Sequence, residues 1–264
     1  MRRYTLLCFQ ALAFAAAVAA VAPAAQATER LRVEVQNLGP AGGFFLTPTW
    51  IGLHNGSFDL FDFGAAATPG LEALAEDGII GTLSGEFAGP ARVEGVVTGP
   101  SGFGSMTGQP PLIDTGETAV GEIAIGNAAA YRYLSFASMV IPSNDAFIGN
   151  EDPFAYEVFD ASGAFNGELV IELTGADIWD SGTEMNDTLD AAFSTVGGSS
   201  SDENGTVEAH PGLTNFEGTG TPVGPIGLGL APGATDPVAR ITVSLVPEPG
   251  AAVLMSIGAI AAVG

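Results

Sequence analysis

The chain has 264 residues, which is enough for one large all-β domain, and its acidic residues far outnumber its basic ones. Thirty Asp and Glu stand against seven Arg and no Lys, giving a formal net charge of −23 at pH 7. This excludes nucleic acid as a partner, because phosphate binding needs clustered Lys or Arg, and it disfavours an anionic lipid surface. Such an excess suits calcium-rich or saline surroundings, where cations screen the repulsion, although solubility alone explains many single carboxylates.

The N-terminus has the pattern of a signal peptide. A basic start is followed by an Ala-rich apolar run from Leu6 to Ala22 and then by Ala25-Gln26-Ala27, the small residues that signal peptidase reads. We therefore expect residues 1–27 to be removed after Ala27, the alternative being an uncleaved anchor. Cys8 is the only cysteine, so the mature protein has no disulfide, Cys-zinc site or Cys nucleophile, which points to a bacterial exported protein.

Residues 28–245 are dominated by short strand patterns separated by Gly and Pro. Residues 31–37 alternate apolar and polar side chains with period two, as in a half-buried strand. Without an internal repeat at a fixed period, these patterns favour an all-β antiparallel β-sandwich. The further predicted strands lie at residues 44–53, 92–98, 121–125, 131–141, 154–159, 168–173 and 238–245.

One short helix and two long loops complete the predicted domain. The helix covers residues 70–78, with Thr68 as its cap, Pro69 at its first position and a glycine stop. We expect its acidic side chains to be solvated: Glu72, Glu76 and Asp77. The Gly/Pro-rich loops span residues 99–117 and 196–237.

Two acidic loops flank the predicted strands in the second half of the chain. Asp145 follows the strong strand at 131–141, and Asp180 opens an Asp-Ser-Gly-Thr-Glu loop that ends at Glu184. Gly182 permits a tight turn there, so Asp180 and Glu184 can face one point. Calcium takes six to eight oxygens, which such loops can supply. The alternative is turn capping, since Asp at loop starts commonly accepts hydrogen bonds from nearby backbone amides.

Other site chemistries have weaker support in the residues. His54 and His210 are the only histidines, and no spacing suggests a zinc site. No Gly-x-Ser-x-Gly motif supports a Ser-His-Asp hydrolase. Carboxylate pairs that could serve a glycosidase are expected by chance in so acidic a chain. We therefore predict a non-enzymatic protein and retain a secreted hydrolase, acting on polysaccharide through a carboxylate pair, as the alternative.

The C-terminal segment, residues 246–264, resembles the PEP-CTERM sorting signal. Val246-Pro247-Glu248-Pro249 is followed by an apolar run of about 14 residues, shorter than a bilayer-spanning helix. Such tails end in a basic cluster, which is missing here, so we expect the tail to be either truncated or degenerate. The resemblance implies processing by an exosortase, localisation outside a Gram-negative cell or on its surface, and membrane contact only through the tail before processing.

Residues 31–245 resemble the spondin N-terminal domain family. The similarity is carried, in order along the chain, by residues 70–78, Pro142-Ser143-Asn144-Asp145, the segment 179–184 and His210-Pro211-Gly212. It implies a C2-like antiparallel β-sandwich with one calcium ion, in which Asp145, Asp180 and Glu184 take the family's ligand positions. Glu184 replaces the Asp of the animal members. The implied function is adhesion or matrix interaction, with polysaccharide, a surface protein or a second copy as partner.

Overall fold

A computed structural model describes residues 29–100 and 111–246 of the chain. Within these ranges the protein has 13 β-strands and two α-helices. The predicted signal peptide and nearly all of the predicted sorting tail lie outside the described residues. None of the helices in the described ranges has the length and apolar character to span a membrane.

One sheet has four antiparallel strands in the order β5-β1-β13-β8. The predicted alternation of residues 31–37 is confirmed, because Leu31, Val33 and Val35 are buried while their neighbours are turned outward. Strand β1 pairs with β13 in a register that joins Val33 to Val243. The four strands are β1 (Glu29–Asn37), β5 (Thr118–Ile125), β8 (Leu169–Thr174) and β13 (Pro237–Leu245).

The other main sheet has seven strands, in the order β10-β9-β7-β6-β3-β4 with β2 also paired to β6. A separate hairpin joins β11 (Gly220–Thr221) to β12 (Gly224–Pro225). The seven strands are β2 (Phe45–Leu46), β3 (Thr49–His54), β4 (Arg92–Val97), β6 (Tyr133–Ile141), β7 (Ala146–Gly149), β9 (Ile178–Asp180) and β10 (Glu208–Ala209).

The central strands of the seven-stranded sheet are buried on both faces. Its inner face packs on the four-stranded sheet through one apolar core, to which Val33, Phe136 and Ile241 belong, and this confirms the predicted sandwich. Its outer face is covered by the helices through a second core that contains Trp50 and Phe147. Burial on both sides explains why β6 is a continuous apolar run rather than an alternating one.

The predicted helix is confirmed as α1 (Pro69–Asp77), with its first turn capped by the Thr68 hydroxyl and its end marked by Gly78 in the left-handed conformation. A second helix, α2 (Gly81–Phe87), differs from the single helix expected. Two glycines in seven residues give α2 poor helix propensity. It forms because Leu83 and Phe87, four residues apart, bury one face in the second core.

The predicted strand at residues 154–159 is wrong. This segment makes only isolated bridges, Tyr133 to Glu157 and Phe159 to Phe165. Phe154 sets its ring edge-on against Tyr133 and stays largely exposed, so it enters no ladder. The apolar and aromatic side chains of this segment make separate contacts rather than forming a strand.

His54 is a buried neutral histidine at the end of β3. Its Nδ1 accepts a hydrogen bond from the Gly56 backbone N–H at 3.0 Å, so Nε2 carries the proton and donates to Ser135 Oγ, also at 3.0 Å. Burial, with a smaller contribution from the Arg92 charge, lowers the pKa of His54 to about 4. Protonation is therefore much harder in the folded protein than in the unfolded chain.

We expect His54 to destabilise the protein in mild acid. The unfolded histidine, with a pKa of 6.5, binds its proton before the folded one does, so stability present above pH 6.5 is lost as the pH falls towards 4. The His54→Asn variant keeps an acceptor for the Gly56 N–H. Between pH 6.5 and 4, its free energy of unfolding should fall by up to about 3 kcal/mol less than that of the wild type. Urea unfolding at pH 7, 6, 5 and 4 measures the two slopes, and parallel slopes would refute this role for His54.

Candidate functional site

Asp145 and Asp180 lie at the same end of the seven-stranded sheet. Strand β7 begins directly after Asp145, and β9 ends at Asp180. The two strands are antiparallel, with Ala146 opposite Asp180, so the start of one meets the end of the other. The Ser181 N–H donates to the Asp145 carbonyl at 3.3 Å and ties the loops together.

Asp145 is fully buried, and its two carboxylate oxygens have different surroundings. Oδ2 accepts hydrogen bonds from Ser181 Oγ at 2.9 Å, the Thr183 N–H at 3.0 Å and the Glu184 N–H at 3.2 Å. These contacts fold the 181–184 loop around the carboxylate. Oδ1 is buried and has no hydrogen-bond partner within residues 29–100 and 111–246. One oxygen therefore caps the loop, while the other is buried without a partner in the described structure.

The negative charge of Asp145 is unfavourable in this environment. Burial, followed by repulsion from Asp180, raises its pKa to about 6, despite the opposing effect of the hydrogen bonds from the loop. A carboxylate that is ionised here at neutral pH lacks a compensating positive charge. A bound cation would supply one.

Asp180 is held by a chain of hydrogen bonds that ends at a histidine. Its Oδ1 accepts from the Gly182 N–H at 2.7 Å, and its Oδ2 accepts from Asn186 Nδ2. Asn186 Oδ1 in turn accepts from His210 Nε2 at 2.8 Å, because His210 Nδ1 is engaged by the Gly212 N–H. Burial lowers the pKa of His210 and keeps the ring neutral. The chain fixes the orientation of the Asp180 carboxylate.

Glu184, the third predicted ligand, contacts Asp145 through its backbone. Its half-buried carboxylate lies near the Ser200 and Asn144 side chains, and burial raises its pKa. Within the described parts of the chain, no three acidic, His or Cys side chains are grouped closely enough to hold a metal ion by themselves. The structure therefore places Asp145 and Asp180 close enough for their charges to repel, with the Glu184 carboxylate turned towards Asn144 and Ser200.

Two residues near these loops were not predicted as site residues. Asn144 is 1% exposed, and its Nδ2 donates to the Leu189 carbonyl at 3.1 Å, while its Oδ1 has no partner in the described structure. Glu76 of α1 lies near Thr183 and Glu184, and burial raises its pKa to about 7. Glu76 was expected to be solvated. One sequence feature could have indicated its unusual environment: Glu76 and Glu72 are like-charged residues four apart on a helix that contains no basic residue.

The acidic cluster, defined as Glu76, Asp145, Asp180 and Glu184, has no arginine partner in the described structure. Four of the five arginines there form ion pairs on other parts of the surface: Arg30 with Glu122, Arg32 with Glu34, Arg132 with Glu157 and Arg240 with Glu172. The fifth, Arg92, donates to the Phe87 and Ser57 carbonyls. The protein therefore supplies no counter-charge to the cluster from these residues.

Neither histidine is arranged as the base of a serine hydrolase. The buried contact between His54 and Ser135 has the proton on the histidine nitrogen that faces the hydroxyl, so this nitrogen cannot accept the serine proton. His210 uses the same nitrogen to donate to Asn186. A cavity of about 300 Å³ lies elsewhere, beside β2 and the 229–238 segment, and among the described residues that line it Asp236 is the one carboxylate. It does not offer the pair of carboxylates that glycoside hydrolysis requires.

A scan against protein-family models and a search of curated proteins both found no match for this chain. The resemblance to spondin domains and the sorting tail therefore remain predictions.

Proposed function

We propose that this chain is an exported, non-enzymatic domain that binds one calcium ion at Asp145, Asp180 and Glu184 and mediates adhesion or matrix interaction at a Gram-negative cell surface. The observation that carries the proposal is Asp145 Oδ1, a fully buried carboxylate oxygen without a partner in the described structure, next to Asp180. Leaving a buried polar group unpaired costs about 1–3 kcal/mol, and more for a charged one. A cation bound to this oxygen removes that cost.

The oxygen atoms near Asp145 are of the kinds that bind calcium. Carboxylate, amide and hydroxyl oxygens surround Asp145, and hard cations take oxygen ligands of all these kinds together with carbonyls and water. Three converging carboxylates are therefore not required. Asp145 and Asp180 would hold the ion, Glu184 would add a third carboxylate, and the ion would supply positive charge to the cluster.

The proposed location and role rest on the two ends of the sequence and on its charge. A signal-peptide pattern at residues 1–27 and a PEP-CTERM-like tail at 246–264 support export and sorting. A net charge of −23 suits calcium-containing surroundings outside the cell. The partner classes that we propose are extracellular polysaccharide and surface proteins.

Calcium is expected to bind the purified protein and to stabilise it. Extracellular calcium modules have dissociation constants of about 0.1–1 mM. At the tight end of that range, 10 mM calcium raises the free energy of unfolding by about 2.7 kcal/mol. Asp180→Ala should abolish both the heat of binding and this stabilisation, whereas Asp62→Ala, which removes an exposed carboxylate, should retain both. Titration calorimetry and thermal unfolding test this, and a wild-type protein with no heat and no shift in melting temperature would refute the proposal.

A further inference from the structure

The cavity of about 300 Å³ lies between the two main sheets, where β1 ends and β13 begins. The four-stranded sheet contributes Asn37 and Val238 to its wall, and the seven-stranded sheet contributes Leu46, Val140 and Ile178. Cavities that bind small molecules have volumes of about 300–1,000 Å³. This cavity therefore has the size of a site for a small ligand.

The interior of the cavity offers a ligand apolar contacts. The buried apolar side chains of its wall are Phe44, Phe45, Leu46, Val140, Ile178 and Val238. Asn37 is the one buried polar side chain among the described residues of the wall. Its Nδ2 donates to the Phe44 and Ile113 carbonyls, each at 3.0 Å, and its Oδ1 accepts from the Gly39 N–H at 2.9 Å. Because these polar groups are paired, the interior suits an apolar molecule rather than water.

Part of the rim is the segment 229–237, which hydrogen bonds hold in place. The Glu217 carboxylate accepts from the Gly229 and Ala231 N–H groups, both at 2.8 Å, and these bonds lower the pKa of Glu217. Further along the segment, the Gly175 N–H donates to the Asp236 carbonyl at 3.0 Å. A rim that is already ordered reduces the conformational entropy lost when a ligand binds.

The charge at the rim is negative. Asp236 is exposed there, and its Oδ2 accepts from the Gly233 N–H at 2.9 Å, which fixes the carboxylate. None of the five described arginines belongs to the wall, since four form ion pairs elsewhere and Arg92 donates to the Phe87 and Ser57 carbonyls. The rim therefore repels an anionic headgroup and attracts a cationic one.

We infer that this cavity binds a small cationic amphiphile, a primary alkylamine whose chain enters the apolar interior and whose ammonium group lies at Asp236. An apolar cavity of about 150 Å³ holds benzene, so a cavity of twice that volume accommodates a chain of about ten non-hydrogen atoms. The inference is independent of the proposed calcium site and adds a second class of ligand.

Calorimetry with octylamine, octanol and octanoate, at low salt and with a chelator, tests the ligand class. We expect the wild-type protein to bind octylamine at least about tenfold more tightly than octanoate, because the two headgroups have opposite charges. Asp236→Asn should weaken octylamine binding about two- to fivefold, the usual contribution of an exposed ion pair, and leave octanol binding unchanged. Asp62→Asn, which removes an exposed carboxylate outside the described wall, should change neither. No octylamine binding by the wild type, or wild-type affinity in Asp236→Asn, would overturn the inference.

Methyl NMR of the wild-type protein locates the ligand without a variant. Octylamine should shift the methyl signals of Val140 and Ile178, which are buried in the wall of the cavity. The methyl signals of Val170, which is exposed on β8 and is not among the described wall residues, should not shift. Shifts confined to exposed residues such as Val170 would show adsorption to the acidic surface and would overturn the inference.

Discussion

Replacing Asp145 with asparagine should abolish calcium binding and, without calcium, make the protein more stable than the wild type at neutral pH. The asparagine oxygen can still accept the hydrogen bonds from Ser181, Thr183 and Glu184 that hold the loop. The buried negative charge and its repulsion from Asp180 are removed. The same substitution removes a ligand from the proposed ion.

The pH dependence of this effect follows from the raised pKa of Asp145. The folded protein holds the Asp145 proton up to about pH 6, whereas the unfolded chain releases it near 3.8. Between these values the folded state binds more protons, so the calcium-free wild type loses stability as the pH rises. The advantage of Asp145→Asn should therefore be absent at pH 3.5 and reach up to about 3 kcal/mol at pH 7.5.

Urea unfolding of both proteins at pH 3.5 and 7.5, with a chelator or with 10 mM calcium, separates these effects. Asp62→Asn serves as the control, because it removes one exposed negative charge without altering the cluster. Calcium should stabilise the wild type and the control but not Asp145→Asn. An Asp145→Asn protein that is less stable than the wild type in chelator and still binds calcium would contradict the account.

The second large effect is expected from Gly182→Ala, which should destabilise the protein and weaken calcium binding together. Gly182 has a φ of 70°, a conformation that is unfavourable for alanine. An added Cβ would also lie 2.5 Å from the Thr206 carbonyl oxygen and 2.6 Å from its nitrogen. Both are backbone atoms, so relief requires movement of the chain. The strained conformation and the clash together predict a loss of about 2–5 kcal/mol.

Gly229→Ala is the matched control for this substitution. Its φ of 72° is nearly the same, but a Cβ there meets no described atom within 4 Å. Denaturant unfolding of the two variants thus separates the clash from the backbone strain. Since the Gly182 N–H donates to Asp180, calorimetry should also show weaker calcium binding in Gly182→Ala only. Equal losses of stability in both variants would show that the 182–206 contact does not restrain the loop.

The sandwich could be predicted because its strands have clear patterns. Residues 31–37 alternate since one face of the four-stranded sheet is exposed to solvent, and the apolar run at 131–141 is long enough to identify β6. Helix α2 could not be predicted from local propensity, because Gly81 and Gly85 disfavour it and only the second core makes it form. At 154–159, an apolar and aromatic run without a partner strand led to a wrong prediction.

The candidate site was predicted in part. That Asp145 and Asp180 meet follows from antiparallel strands β7 and β9, and the sequence contained both acidic loops. Turn capping of nearby amides is the alternative to ion binding, and in the structure one oxygen of Asp145 accepts hydrogen bonds from the more distant 181–184 loop, while the other has no partner in the described structure. Glu76 lies near Glu184 because of how α1 packs over the sheet, and no local sequence pattern encodes this packing.

The most direct measurement is a crystal structure of the protein grown with calcium, with the ion identified by its anomalous scattering. The account predicts one ion whose shell includes carboxylate oxygens of both Asp145 and Asp180 at about 2.3–2.6 Å. Asp145 Oδ1, which has no partner among the described residues, should be one of these ligands. Calcium bound only to exposed carboxylates elsewhere, with Asp145 Oδ1 contacting no ion, would contradict the account.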